Sequence, residues 1–190
     1  MLITNNGLTI RSAQEKDAEI LTKWWNDGKV MEHAGFPKGL GTVKEKTLEL
    51  IKQNNVLTQR CVIEYDSLPV GEMSYFIKDD CAQIGIKICV QSLQNKGLGS
   101  KLLKMFIDFL FTDKKVNGIV SINKIILDTN KKNLRAQHVY EKLGFTKLRE
   151  NINCWQDQMG ELQSSVDYEM TRASWKALKK AKNMFVREKL

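Results

Sequence analysis

Of 190 residues only two are proline and two are histidine, and the four cysteines never fall in a Cys-x-x-Cys spacing. So few prolines beside 12 glycines exclude long disordered linkers. His33 and His138 are too few, and Cys61, Cys81, Cys89 and Cys154 too scattered, for a structural zinc site or a disulfide framework. Reduced thiols in a cytoplasmic protein without a metal are the expectation. No apolar run approaches the ~20 residues of a membrane span. The opening Met1–Gly7 has no basic segment followed by an apolar stretch, so neither a membrane anchor nor a secretory leader is expected. Gly-x-Ser-x-Gly is missing too, and nothing singles out a cysteine–histidine pair, which argues against a covalent hydrolase. There is no internal repeat.

What is present fits one globular domain. Hydrophobic residues make up 42% and charged residues 27%, and a chain of this length buries roughly 70% of its unfolded surface without staples. The net charge of +8 is uneven. Residues 1–80 hold 10 Lys and Arg against 12 Asp and Glu, whereas residues 81–190 hold 20 against 10. The basic half suits an anionic guest; a solvated basic surface is the plainer alternative.

Residues 8–11 read as a strand. Ser12 precedes Glu15 by a capping-box spacing that opens a helix to about Asp27. Of the adjacent Trp24 and Trp25, only one is expected to face the core. A second helix is predicted over 43–54, with Val43, Leu48 and Ile51 inward. Strands follow at 60–65, 68–77 and 81–90, then an amphipathic helix over 97–111 with Leu98, Leu102, Phe106, Phe109 and Leu110 inward. A buried strand over 124–129, a helix over 133–143 stopped by Gly144, strands at 145–149 and 166–170, and a helix over 173–188 complete the chain. The order predicts a mixed α/β (α+β) fold around one central sheet, with residues 1–172 as a single domain and 173–190 as a basic C-terminal helix. In that helix Trp175, Leu178, Met184 and Phe185 form an apolar stripe interrupted by Lys182. Loose docking through Trp175 and Leu178 is expected, with the basic face in solvent.

The chemistry-bearing junction runs from Ile84 to Lys101. A strand ends near Val90, and a glycine-containing loop opens directly into the helix. The first-turn N–H groups of a helix lack intrahelical acceptors and lie at the positive end of its dipole. Gly97 and Gly99 let backbone approach a ligand, and Lys96 and Lys101 add charge, so pyrophosphate is the natural guest. A plain helix start with glycines for tight packing is the competing account. Two other phosphate loops are excluded: a dinucleotide fingerprint needs glycine where Leu102 stands, and a triphosphate loop needs Gly-Lys-Ser/Thr where the order is Gly99-Ser100-Lys101.

These residues resemble the GNAT superfamily of N-acetyltransferases. Gln94-Asn-Lys-Gly97-Leu-Gly99 is similar to the family's Gln/Arg-x-x-Gly-x-Gly/Ala loop. Asn133-Leu-Arg-Ala136-Gln-His-Val-Tyr140-Glu-Lys-Leu-Gly144-Phe145 is similar to its Asn-x-x-Ala-x-x-x-Tyr-x-x-x-Gly-Phe segment. The resemblance extends over about residues 8–172. It looks nearest to the ribosomal-protein and aminoglycoside 6′-N-acetyltransferases, on Trp24-Trp-Asn-Asp27 and Asp128-Thr-Asn-Lys-Lys-Asn133.

The resemblance implies a mostly antiparallel sheet whose fourth and fifth strands splay, with acetyl-coenzyme A as cosubstrate and no metal. It implies that Gln94, Asn95, Lys96, Gly97, Leu98, Gly99, Ser100 and Lys101 hold the pyrophosphate. Backbone groups near Ile88, Cys89 and Val90 would bond the pantetheine arm, and a free N–H near Val90 would polarise the thioester carbonyl. Asn133 and Ala136 would line the arm, and Tyr140 would protonate the leaving thiolate. On helical spacing alone, Tyr140 reads as a core aromatic beside Ala136 and Leu143. The base that takes the proton of the amine is Glu72 or Asp128, with Asp128 favoured at a strand end beside the coenzyme motif. Lys87 stands where the aminoglycoside enzymes carry an acid, a departure that would repel a polycation. The acceptor is therefore a small-molecule or peptide amine, drawn from antibiotics, polyamines or protein N-termini, on a monomer or homodimer. A coenzyme-binding sensor without catalysis, and an RNA- or ribosome-binding module, are the alternatives. The aromatics fall on helical core stripes instead of a basic, aromatic-interleaved sheet, which disfavours nucleic acid.

Overall fold

The computed structural model of the chain describes residues 1–187. Its strands are β1 (Leu2–Asn5), β2 (Leu8–Ser12), β3 (Thr58–Tyr65), β4 (Leu68–Lys78), β5 (Cys81–Ile88), β6 (Lys124–Asn130), β7 (Thr146–Gln156) and β8 (Leu162–Thr171). The helices are α1 (Ala18–Trp25), α2 (Gly28–Met31), α3 (Lys44–Lys52), α4 (Leu98–Thr112), α5 (Lys114–Ile119), α6 (Leu134–Leu143) and α7 (Arg172–Arg187). All strands join one sheet in the order β1-β2-β3-β4-β5-β6-β8-β7. Only β5 and β6 pair in parallel, and only over Cys81–Gln83 against Lys124–Ile126. Beyond Gln83 and Ile126 the two strands part, and this opening organises the molecule.

Period-two alternation gives the sheet two faces. On one, Ile63, Met73, Tyr75, Ile84, Ile125 and Tyr168 pack against Leu102, Phe106 and Leu110 of α4. On the other, Val62 and Cys89 pack against Ala18, Leu21, Trp24 and Trp25 of α1 and Ile51 of α3. Among the described residues, no helix is long and apolar enough to cross a membrane, and no group of three metal-ligating side chains converges.

Several local expectations need correction. Asn6 and Gly7 both have positive φ, 47° and 77°, and close a hairpin that adds β1; Asn-Gly is the residue pair such a tight turn favours. Ser12 does not cap a helix. It ends β2 and donates to Gln59 at 2.7 Å, while Asp17 accepts the Gln14 N–H at 2.7 Å and is gripped by Arg11 at 2.6 and 2.8 Å. Burial works against the Asp17 carboxylate, but Arg11 and the Gln14 N–H together hold its pKa below the ordinary value. Trp24 and Trp25 are both buried, 6% and 4% exposed. The helix carrying them is covered twice: Trp25 bonds Glu72 on the sheet, and Thr22 bonds Thr47 on α3. Val43 is exposed, and Thr47 is buried in its stead. Asp113 caps the unanticipated α5 through the Val116 N–H. Strand β7 runs on to Gln156 and β8 begins at Leu162, well beyond the 145–149 and 166–170 expected; β7 is an edge strand whose residues are nearly all exposed, so no alternation of burial marks its length.

The start of α7 docks more firmly than its stripe suggests. Arg172 donates to the carbonyls of Ile122 and Phe111, each at 2.6 Å, and Trp175 lies 5.2 Å from the Phe111 ring. Asp108 accepts from the Trp175 indole at 2.8 Å and from Lys179 at 2.6 Å. Lys176 and Lys180 face solvent. The predicted helix end at 188 and the charges of Glu188 and Lys189 lie outside the described residues, as do the side chains of Lys182 and Phe185.

Candidate active site

The chain leaves β5, makes a short turn over Gln91–Leu93, and enters α4 at Gly97. Gly97 has φ +75° and supplies no side-chain cap, and Asn95 before it has φ +59°. The first intrahelical bond at this end runs from the Lys101 N–H to the Gly97 carbonyl. The N–H groups of Leu98, Gly99 and Ser100 therefore have no helix acceptor. Nothing lies within 4 Å of where a Cβ on Gly97 or Gly99 would stand. Free donors, a positive dipole end and open space coincide, which is what a pyrophosphate requires.

Gln94 ties this loop to both neighbours. Its Nε2 donates to the Ile88 carbonyl at 2.8 Å, and its Oε1 accepts from Arg135 on α6 at 2.8 Å. Arg135 also reaches Asn95 at 3.4 Å. The sequence reading missed Arg135, an unassigned position between Asn133 and Ala136; only the facing of α4 and α6 shows its use.

At the splay the backbone corrects another expectation. The N–H groups of Cys89 and Val90 both donate to the Val70 carbonyl, at 2.9 and 3.1 Å, so neither is free for a ligand. Antiparallel residues alternate between facing the partner strand and facing away. With Cys89 bonded to β4, Ile88 and Ile86 turn their N–H groups toward the gap where β6 has diverged. The Cys89 thiol is buried, and burial raises its pKa.

Across the gap stands α6. Asn133 caps it, accepting the Ala136 N–H at 3.2 Å, and Gly144 ends it in the left-handed region at φ +96°. The Asn133 oxygen is thus committed to the helix. Tyr140 is 7% exposed and packs edge-on against Tyr168 at 5.5 Å and beside Phe145 at 6.1 Å. Burial, with help from the Asp128 charge, pushes its pKa up to about 12. Asp128 sits on β6 one residue past the core-facing Leu127, so it points to the opposite face of the sheet from α4. Burial, then the charge of its cross-strand neighbour Asp167, raises the Asp128 pKa. Asp167 is itself held by Arg149 at 2.7 Å. Glu72 is differently placed: it accepts from Lys87 and from the Trp25 indole, both at 2.8 Å.

A cleft of about 850 Å³ joins these groups. Ile88, Gln94, Asn95, Gly97, Leu98, Gly99, Ser100, Asp128, Asn133, Ala136 and Tyr140 line it. Cys89, Val90 and Glu72 do not, and Lys96 and Lys101 line a second cleft of about 490 Å³ on the flank of α4. Arg60, Phe76 and Trp155, which the sequence left unassigned, complete the wall away from α4.

The model of the acetyltransferase (GNAT) domain matches residues 7–146. The chain belongs to the GNAT family. It is an acetyl-coenzyme A-dependent N-acetyltransferase. This GNAT chain is 27% identical over 161 residues to an aminoglycoside N(6′)-acetyltransferase type 1 of Klebsiella pneumoniae, covering 76% of each. Over a shorter stretch of 68 residues it is 40% identical to a kanamycin resistance protein of Rhizobium radiobacter, covering 33% of this chain and 57% of that one. In fold it is similar to a spermidine N-acetyltransferase from Vibrio cholerae solved with CoA and spermine: TM-score 0.77, 21% identity, 90% of this chain and 99% of that one. A ribosomal alpha-N-protein acetyltransferase in complex with coenzyme A superposes with TM-score 0.75 at 17% identity, covering 90% and 98%.

Proposed function

We propose that the chain transfers acetyl to a primary amine by direct attack in a ternary complex, with Asp128 taking the proton of the amine and Tyr140 facing the departing sulfur. The observation that carries this is that Asp128 and Tyr140 both line the cleft where β5 and β6 part. The coenzyme supplies an activated acyl group. The α4 first turn and Arg135 hold its anionic end, and the N–H groups of Ile86 and Ile88 orient the arm and the acyl carbonyl. A primary amine with a pKa near ~10 is mostly protonated at neutral pH, so it must shed a proton first. Asp128, without a salt bridge among the described residues and with a raised pKa, is better suited to accept that proton than Glu72, whose oxygens are engaged. Then the amine nitrogen bonds the acyl carbon, the carbon–sulfur bond breaks, the Tyr140 hydroxyl proton goes to the sulfur, and the second nitrogen proton restores Tyr140 while Asp128 gives its proton to solvent.

Tyr140 keeps its proton at neutral pH, since burial raises its pKa. The Asp128 charge contributes to that rise and disappears once Asp128 is protonated. Uptake of the amine proton thereby makes Tyr140 a stronger acid as the sulfur departs. Lys87 is paired with Glu72, so the lysine that sets this chain apart from the aminoglycoside enzymes is electrically compensated. Thiol release from acetyl-coenzyme A across aminoglycosides, polyamines and N-terminal peptides tests the reading. Release with at least one primary amine, lost in Tyr140→Phe, supports it; release that ignores both Tyr140 and Asp128 refutes it.

A further inference from the structure

The cleft wall away from α4 carries charges of both signs, some of them partnered. Lys87 pairs with Glu72 at 2.8 Å, and Glu32 lies 3.6 Å from His33. Arg60 is the exception in the sheet floor. Its guanidinium lies 5.4 Å from the Trp25 ring centre and has no ion-pair or hydrogen-bond partner among the described residues. Its backbone is fixed: the Arg60 N–H donates to Asn54 at 2.7 Å, and its carbonyl accepts from Ala13 at 2.8 Å and from Asn54 at 3.1 Å. Trp25 is fixed in turn by its indole bond to Glu72. A guanidinium laid on an aromatic ring keeps its edge donors free, in the geometry that matches a carboxylate.

Arg60 shares a cross-strand row with Ser74 and Gly85. Both are small, and a Cβ on Gly85 would come 3.2 Å from the Ser74 oxygen. The row is a clear lane from Arg60 to the gap where Asp128 stands. From Arg60 on β3 to Asp128 on β6 is three strand spacings, about 14 Å, less the reach of the two side chains. An unpaired carboxylate at one end and an unpaired guanidinium at the other form a dipolar chamber.

We infer that Arg60 selects the acceptor, and that the acceptor is a primary amine bearing a carboxylate within one or two residues of it: an amino acid or an acidic peptide N-terminus. This rests on the transfer reading above. The test compares isosteric pairs by kcat/KM: peptide amides with Asp or Asn in second place, and a free amino acid against its own amide, with spermine and kanamycin alongside. The first pair reports an acidic peptide and the second a free amino acid. The carboxylate member is expected to lead its neutral twin by roughly tenfold to a hundredfold, the worth of one charged hydrogen-bonded contact. Arg60→Gln should collapse that ratio toward one, chiefly through KM, and Arg60→Lys should restore part of it. Equal rates within both pairs, or a ratio untouched by Arg60→Gln, overturn the assignment. Turnover of polycations alone also removes it, yet leaves the Tyr140 and Asp128 chemistry standing. A preserved ratio preference with no effect of Tyr140→Phe does the reverse.

Discussion

The helices α4 and α6 face each other across the cleft and begin in opposite ways. At α4 a left-handed Gly97 gives no cap, and three first-turn N–H groups are left over. At α6 the Asn133 side chain closes the first turn on itself. Neither start places an acidic residue in its first turn. One helix end thus keeps spare donors open, while the other is capped and carries the buried Tyr140. Whether a helix start binds a ligand depends on whether its spare donors are consumed within the chain.

If that division holds, the largest effect belongs to what the closed helix carries. Tyr140→Phe should lower kcat by roughly 10²–10⁴-fold, with the coenzyme affinity seen by calorimetry almost unchanged; an affinity loss of similar size would blur the two roles. Asp128→Asn is next. Activity that needs ionised Asp128 falls as pH drops through its raised pKa, so the acid limb of kcat/KM should lie above the ordinary carboxylate value of ~3.9. The asparagine variant should lower the plateau and lose that limb.

The open helix is probed by replacing Gly97 and Gly99 with valine. Both side chains would occupy the space before the free donors, and coenzyme affinity should fall by at least about tenfold, the loss of roughly one charged hydrogen bond. Deleting the chain after Arg172 removes Trp175 and Lys179 from Asp108, so the melting temperature should drop by several degrees, as ~1–2 kcal/mol does in a domain this size. Coenzyme affinity should survive that deletion. The smallest change is Asn133→Ala, a lost cap of ~1 kcal/mol in denaturant unfolding. Should it cost as much coenzyme affinity as the glycine variants, the contrast between the two helix starts would be mistaken.

Legibility in the sequence followed the range of the interactions. The strand–loop–helix around Gly97 and the helix from Asn133 to Gly144 were readable because each is set by neighbours within a turn or two. The Asn6-Gly7 hairpin carried an equally local signal that went unread. Trp24 and Trp25 could not both be placed inward from α1 alone, because α3 supplies the second cover. The extension of β7 beyond residue 149 escaped for a related reason: an edge strand with both faces wet has no pattern of burial to betray its length.

The sequence by itself carried the two motifs that resemble the family, and its local spacing and backbone freedom determined most of the strand-and-helix order and an uncapped helix start at Gly97. Only the tertiary structure decided which backbone groups are free at the splay. Val70 takes the Val90 N–H, leaving Ile86 and Ile88 to face the gap, and strand pairing alone dictates that. It also decided that Glu72 is occupied by Lys87 and Trp25 while Asp128 is not, and that Arg60 on β3 shares a chamber with Asp128 on β6. Those contacts join residues far apart in the chain, and electrostatic pairing acts through space, so no run of neighbours encodes it.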